Sequence, residues 1–169
     1  DSTRPMLMME YATNITNAHQ LQLAGSTLGA GYTLGNNIDL TNAFTNQSDV
    51  WATNYNTPTG AGFVPIGSSA SYYTGHFNGN NYTINNLYLN RPATDFQGLF
   101  GYTSGGSIRN TGLIDVNVTG NTQVGGLIGR NVSYVANNYV AGGTVTGSQN
   151  TTVQALVGGL IGYSTYTSG

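Results

Sequence analysis

The chain has 169 residues, enough for one domain of ordinary size, with 6% charged residues and a formal net charge of −2. Its four cations are all arginine and it has no cysteine, which excludes a basic footprint for nucleic acid, a polybasic strip for an anionic membrane, a disulfide framework and a thiolate metal site. Hydrophobic residues at 38% and aromatic residues at 11% give enough apolar surface for a packed core, and no apolar run approaches the ~18 residues of a membrane span.

Read from its start, DSTRPMLMMEY lacks the basic region and continuous apolar stretch of a signal peptide. Residues 14 to 25, NITNAHQLQLAG, are the one helix candidate, with Thr16 or Asn17 placed to cap it and Gly25 to end it. YTLGNNIDL, 32 to 40, alternates Tyr32, Leu34, Asn36, Ile38 and Leu40 in strand period. Residues 41 to 62, rich in Asn and Thr and holding Trp51 and Pro58, read as a loop excursion. Strand signals punctuated by Gly and Asn return in FVPIG (63 to 67) and YYTGHFNGNNYTINNLYLN (72 to 90).

The second half is organised by a repeated tetrapeptide: GLFG at 98 to 101, then GLIG at 126 to 129 and at 159 to 162, the starts 28 and 33 residues apart. A period of this length is that of a solenoid. A shift of 27 residues lays SIRNTGLIDVNVTG (107 to 120) over YVANNYVAGGTVTG (134 to 147), matching Asn110 to Asn137 and Val118 to Val145; Asn86 reads as a third copy of this Asn, 24 residues before Asn110. Each unit then has three short strands, VGGLIG, YVANNYV and TVTG. The fold expected is all-β, a triangular parallel β-helix of residues 1–169 with one short helix near the N-terminus.

The repeated residue types have physical reasons. Val118 and Val145 stack inward while Asn117 and Thr119 lie over Thr144 and Thr146 outside, as period-two alternation requires. Asn86, Asn110 and Asn137 tolerate left-handed backbone and can pass amide hydrogen bonds between coils. The glycines of the tetrapeptides, Gly98, Gly101, Gly126, Gly129, Gly159 and Gly162, are expected to supply positive φ at corners. Leu99, Leu127 and Leu160 should lie above one another on one face.

The series FVPIG, YYTGHFNGNNYTINNLYL, GLFG, SIRNTGL, VTG, VGGLIG resembles the GLUG (Gly-Leu-any-Gly) repeats of large bacterial surface adhesins. The upstream STRPMLMMEYATNITNAHQLQLAGSTLGAGYTLGNNIDL is similar to the segment following the secretion domain in filamentous-haemagglutinin-type exoproteins of two-partner secretion systems. The resemblance implies a right-handed β-helix cut from a longer exoprotein. It implies export through an outer-membrane pore, secretion to the bacterial cell surface, and adhesion to a host-cell or bacterial receptor, a glycan among the candidates, with no catalytic activity, cofactor, metal, nucleic-acid partner or membrane span.

The alternative is a carbohydrate-active β-helix, which needs clustered carboxylates or Ca²⁺ with a basic residue on adjacent coils. Its candidates are Asp39, Asp49, Asp95 and Asp115 with Arg91, Arg109 and Arg130; Asp95 and Asp115 fall in different columns of the repeat and should not converge. His19 and His76 have no suitably spaced acidic partner for a metal site. For contact with a sugar or receptor the candidates are Trp51, Tyr72, Tyr73 and Tyr134, with Tyr139, Tyr163 and Tyr166 behind them.

Overall fold

The computed structural model describes residues 10–46, 48–49, 60–148 and 155–166. They form an all-β structure of parallel sheets with two short helices. In chain order the elements are β1 (Asn14–Ile15), α1 (Ala18–Leu23), β2 (Tyr32–Leu34), β3 (Ile38–Asp39), α2 (Thr41–Thr45), β4 (His76–Asn78), β5 (Thr83–Asn85), β6 (Tyr88–Asn90), β7 (Phe100–Arg109) and β8 (Gly112–Gly120). Then follow β9 (Val124–Gly125), β10 (Ile128–Ala136), β11 (Tyr139–Gly147), β12 (Val157–Gly158) and β13 (Ile161–Ser164).

One sheet has the order β1-β2-β4-β7-β10-β13, a second β11-β8-β5-β3 with β6 also paired to β8, and a third joins β12 to β9. All these pairings are parallel. Parallel neighbours cannot be joined by a hairpin; from β7 to β13 the chain visits the first, second and third sheets in turn before returning to the first. Ile15, Leu34, Phe77, Phe100, Ile108, Leu113, Val118, Leu127 and Ile128 fill the core.

The registers follow the sequence period. Phe100 pairs with Ile128 and Ile128 with Ile161, and Asn117, Val118 and Thr119 pair with Thr144, Val145 and Thr146. Leu127 and Ile128 are both fully buried, Leu127 in the bend between β9 and β10 and Ile128 as the first residue of β10. Strand β8 shows how a corner is built inside a strand. Leu113 is inward, but Asp115 takes a left-handed φ of 52°, and from there Val116 and Val118 become the buried positions.

Several expectations are corrected. The helix occupies Ala18–Leu23 rather than 14 to 25; Asn17 does cap it, accepting from the Gln20 N–H at 2.9 Å, whereas Asn14–Ile15 pairs with β2 and Gly25 lies in a 3₁₀ turn. The run 32 to 40 is two strands in two sheets, separated at Gly35 to Asn37. The 41 to 62 excursion begins as helix α2, since Asp39 Oδ1 accepts from the Thr41 N–H at 2.9 Å and hydroxyl at 2.6 Å while Ala43 and Phe44 bury. YVANNYV is not one strand: Asn137 at φ 55° splits it between β10 and β11, and TVTG continues β11.

The tetrapeptide glycines also have a different reason from the one expected. None of the six has positive φ. Five of them are needed because neighbouring backbone comes too close for a side chain, Gly159 alone facing open space: a Cβ on Gly98 would lie 2.8 Å from Gly125 O, on Gly126 2.6 Å from Gly159 O, and on Gly129 2.6 Å from Phe96 C. Positive φ occurs elsewhere, as at the pair Gly105–Gly106, where β7 takes an extra residue against β10 and the register shifts between Val132 and Tyr134.

Candidate functional site

The GLxG segments lie above one another, with Leu99 N–H donating to Gly126 O at 3.2 Å and Leu127 N–H to Leu160 O at 3.0 Å. Leu99 and Leu127 are fully buried and Leu160 half-buried. These are packing positions, and no reactive group accompanies them.

The asparagines form a chain of side-chain amides on the surface. Asn137 Nδ2 donates to Asn110 Oδ1 at 3.2 Å, and Asn110 Nδ2 donates to Asn78 Oδ1 at 3.0 Å. Asn86 does not belong to this column. Ile84 pairs with Leu113 and Asn85 with Ile114, so Asn86 (φ 61°) stands level with left-handed Asp115 and Gly142. Its amide donates instead to Asp39 Oδ1 at 3.1 Å and Thr41 Oγ1 at 2.9 Å. An abundance of Asn made the 24-residue spacing misleading; the true repeat there is 29.

The carboxylates divide. Asp115 is exposed at its corner, while Asp95 Oδ1 accepts from Asn121 Nδ2 at 2.8 Å and Thr122 N at 3.2 Å. Hydrogen bonds from Thr41 hold the Asp39 carboxyl below its usual range. Asp39 and Asp49 line one cavity of about 300 Å³ with His19. His19 has the acidic partners that its sequence neighbours do not suggest: Nε2 lies 2.6 Å from Asp49 Oδ1 and Nδ1 3.4 Å from Glu10 Oε2. His76 Nδ1 meets Ser107 Oγ at 3.0 Å.

Among the tyrosines, Tyr73 is corrected outright. It is fully buried against Phe100 at 5.1 Å, its hydroxyl donating to Ala30 O at 3.1 Å, and burial drives its pKa up, as it does for Tyr32. Large inward rings fill the wide space between sheets. Tyr72 and Tyr134 are exposed, and Tyr134 packs edge-on against Tyr166 at 6.2 Å. Trp51 lies outside the described residues.

The structure adds a surface that the sequence reading missed. Residues Tyr102, Arg130 and Tyr163 are in register on β7, β10 and β13, and the Arg130 guanidinium sits 5.1 Å from the Tyr102 ring and 5.4 Å from the Tyr163 ring. Tyr72 lies 4.5 Å and Phe96 5.6 Å from Tyr102. The signal was present: each of these three residues directly follows a GLxG. Beside Phe96 opens a second cavity, of about 220 Å³, lined by Val64, Pro65, Arg91, Thr94 and Asp95 among others. Burial pushes the Arg91 guanidinium below its ordinary pKa.

Two known proteins are similar to this chain. Halomucin of Haloquadratum walsbyi is 34% identical over 136 residues, 79% of this chain and 1% of that protein. A protein of Evansella cellulosilytica named as a Gly-rich membrane protein is 34% identical over 127 residues, 73% of this chain and 14% of that protein. The chain thus spans a small part of the relatives it matches. No family model matches it, and no solved structure does.

Proposed function

We propose that this chain is a structural and adhesive segment of a longer, secreted, surface-displayed bacterial exoprotein, built as a right-handed parallel β-helix of the GLUG-repeat, filamentous-haemagglutinin type. The observation that carries the reading is the parallel register of Phe100, Ile128 and Ile161 over successive passes, which is how a solenoid accumulates length and outward surface without a catalytic centre. Exposed Tyr72, Tyr134 and Tyr166 supply aromatic area for contact with a receptor or glycan. Similarity to segments of a halomucin and of a protein named for a membrane agrees with display at a cell surface. Export through a partner pore in the outer membrane completes the reading.

The test is attachment. Immobilised or labelled protein should bind host or bacterial cells weakly, and Trp51→Ala should reduce that binding several-fold with an unchanged circular dichroism spectrum. The substitution is confined to Trp51 because α2 contributes Ala43 and Phe44 to the core. Absence of attachment to every surface tried would sink the reading.

A second reading, a carbohydrate-active β-helix, draws on the cavity shared by His19, Asp39 and Asp49. Polysaccharide cleavage by the purified protein that disappears in Asp49→Asn would put that reading first.

A further inference from the structure

We propose that the cavity between residues 64–69 and 91–97 binds a carboxylate-bearing sugar, one uronic-acid unit of an acidic polysaccharide, with Arg91 as the anion contact. The proposal deepens the adhesive reading by naming the chemistry of what is held.

Arg91 is the first observation. Its Nε is buried and has no hydrogen-bond partner, its Nη2 reaches only Phe63 O at 3.5 Å, and among the described residues no carboxylate lies within ion-pair distance of it. A half-buried guanidinium loses hydration, and an anion in the cavity it lines that accepts from its Nη–H groups restores part of that loss. Asp95 lines the same cavity but makes no ion pair with Arg91; its Oδ1 is turned to Asn121 and Thr122. Its second oxygen remains to accept a sugar hydroxyl.

Size and aromatic placement select a sugar over a bare anion. At about 220 Å³ the cavity falls below the ~300 Å³ at which drug-sized ligand sites begin, which suits a single ring. Phe96 lines it in a left-handed conformation, φ 59°, an outlier for a bulky residue of the kind found at binding sites. From Phe96 the aromatic strip runs on through Tyr102 and Arg130 to Tyr163. Arg130 Nε is also buried without a partner. A cavity for one unit, continued by tyrosine rings and a second guanidinium held between them, fits a polymer of alternating apolar faces and carboxylates.

The experiment is calorimetric titration of the whole chain at low salt with a glucuronate-containing hexasaccharide and with its carboxyl-reduced counterpart. The acidic form should bind at least tenfold more tightly. Arg91→Gln should remove that preference, and Arg130→Gln should weaken it by a smaller factor. Should Arg91→Gln fail to fold, the wild-type Arg91 Nε–H resonance provides the readout: it should shift with the acidic sugar and stay in place with the reduced one. Equal binding of the two sugars, binding of neither, or an unmoved Nε–H resonance would overturn the proposal. Calorimetric binding without attachment to cells would leave this site standing and remove the adhesive reading, whereas attachment untouched by excess hexasaccharide and by Arg91→Gln would do the reverse.

Discussion

The pass of chain through Val124 and Leu127 and the pass through Val157 and Leu160 carry the same residue types in the same register, yet they occupy different environments. Val124 is 0% exposed and its partner Val157 45%. Leu127 is buried where Leu160 is half-buried, and a Cβ on Gly126 would meet Gly159 O at 2.6 Å where one on Gly159 would meet open space. Along the outer of the two passes an apolar groove of about 380 Å³ opens among Val116, Val140, Val145, Val157 and Leu160. The energetic weight of a repeat position is therefore set by whether strands flank it on both sides, rather than by its own identity.

The widest separation should come from the leucines. Leu127→Ala should cost about 2–5 kcal/mol, the range for a fully buried leucine, and Leu160→Ala less than half as much, compared by urea denaturation. Equal losses would mean that the outer pass is as well packed as the inner one. For the glycines, the added methyl of Gly126→Ala must displace backbone, at about 1–3 kcal/mol, while Gly159→Ala should stay within about 0.5 kcal/mol of the parent. Thermal melts of the two variants decide this.

The asparagine column gives the finest test. Both Asn110→Ala and Asn137→Ala strain a left-handed residue (φ 54° and 55°), so that cost of about 1–2 kcal/mol cancels between them. Asn110 donates to Asn78 and accepts from Asn137, but Asn137 only donates. Asn110→Ala should therefore be the worse by one hydrogen bond, about 0.5–1.5 kcal/mol. Paired Asn→Gly variants, which relieve the backbone strain, should preserve that difference. Equal losses in the two variants would show that the amide column contributes nothing.

What could be read from the sequence was whatever repeats at a fixed spacing. The 27-residue shift placed Val118 against Val145 and Thr119 against Thr146, as the pairing has them, because inward and outward positions alternate and Asn and Gly mark the breaks. Features that depend on one conformational choice were hidden. Asn86 was assigned to the wrong corner because its nearest counterpart is Asp115, a different letter with the same left-handed backbone. Tyr73 and Tyr72 are adjacent and identical, yet one is core and one is surface; strand parity decides, and a short bridged segment carries too few alternations to set it. The contacts of His19 with Asp49, and of Phe96 with Tyr102, join residues from unlike parts of the repeat, which periodicity does not relate.

The parallel pairing has a mechanical consequence. Hydrogen bonds between successive passes point along the direction in which the strands stack, so a load applied along that direction falls on one inter-strand ladder at a time and peels the outermost pass first. Phe100, Ile128 and Ile161 mark passes 28 and 33 residues apart. At ~3.3–3.6 Å of extended chain per residue, each rupture would release on the order of 100 Å of slack while the passes behind it stayed folded. Such a segment yields in steps and lengthens under tension, like a shock-absorbing tether.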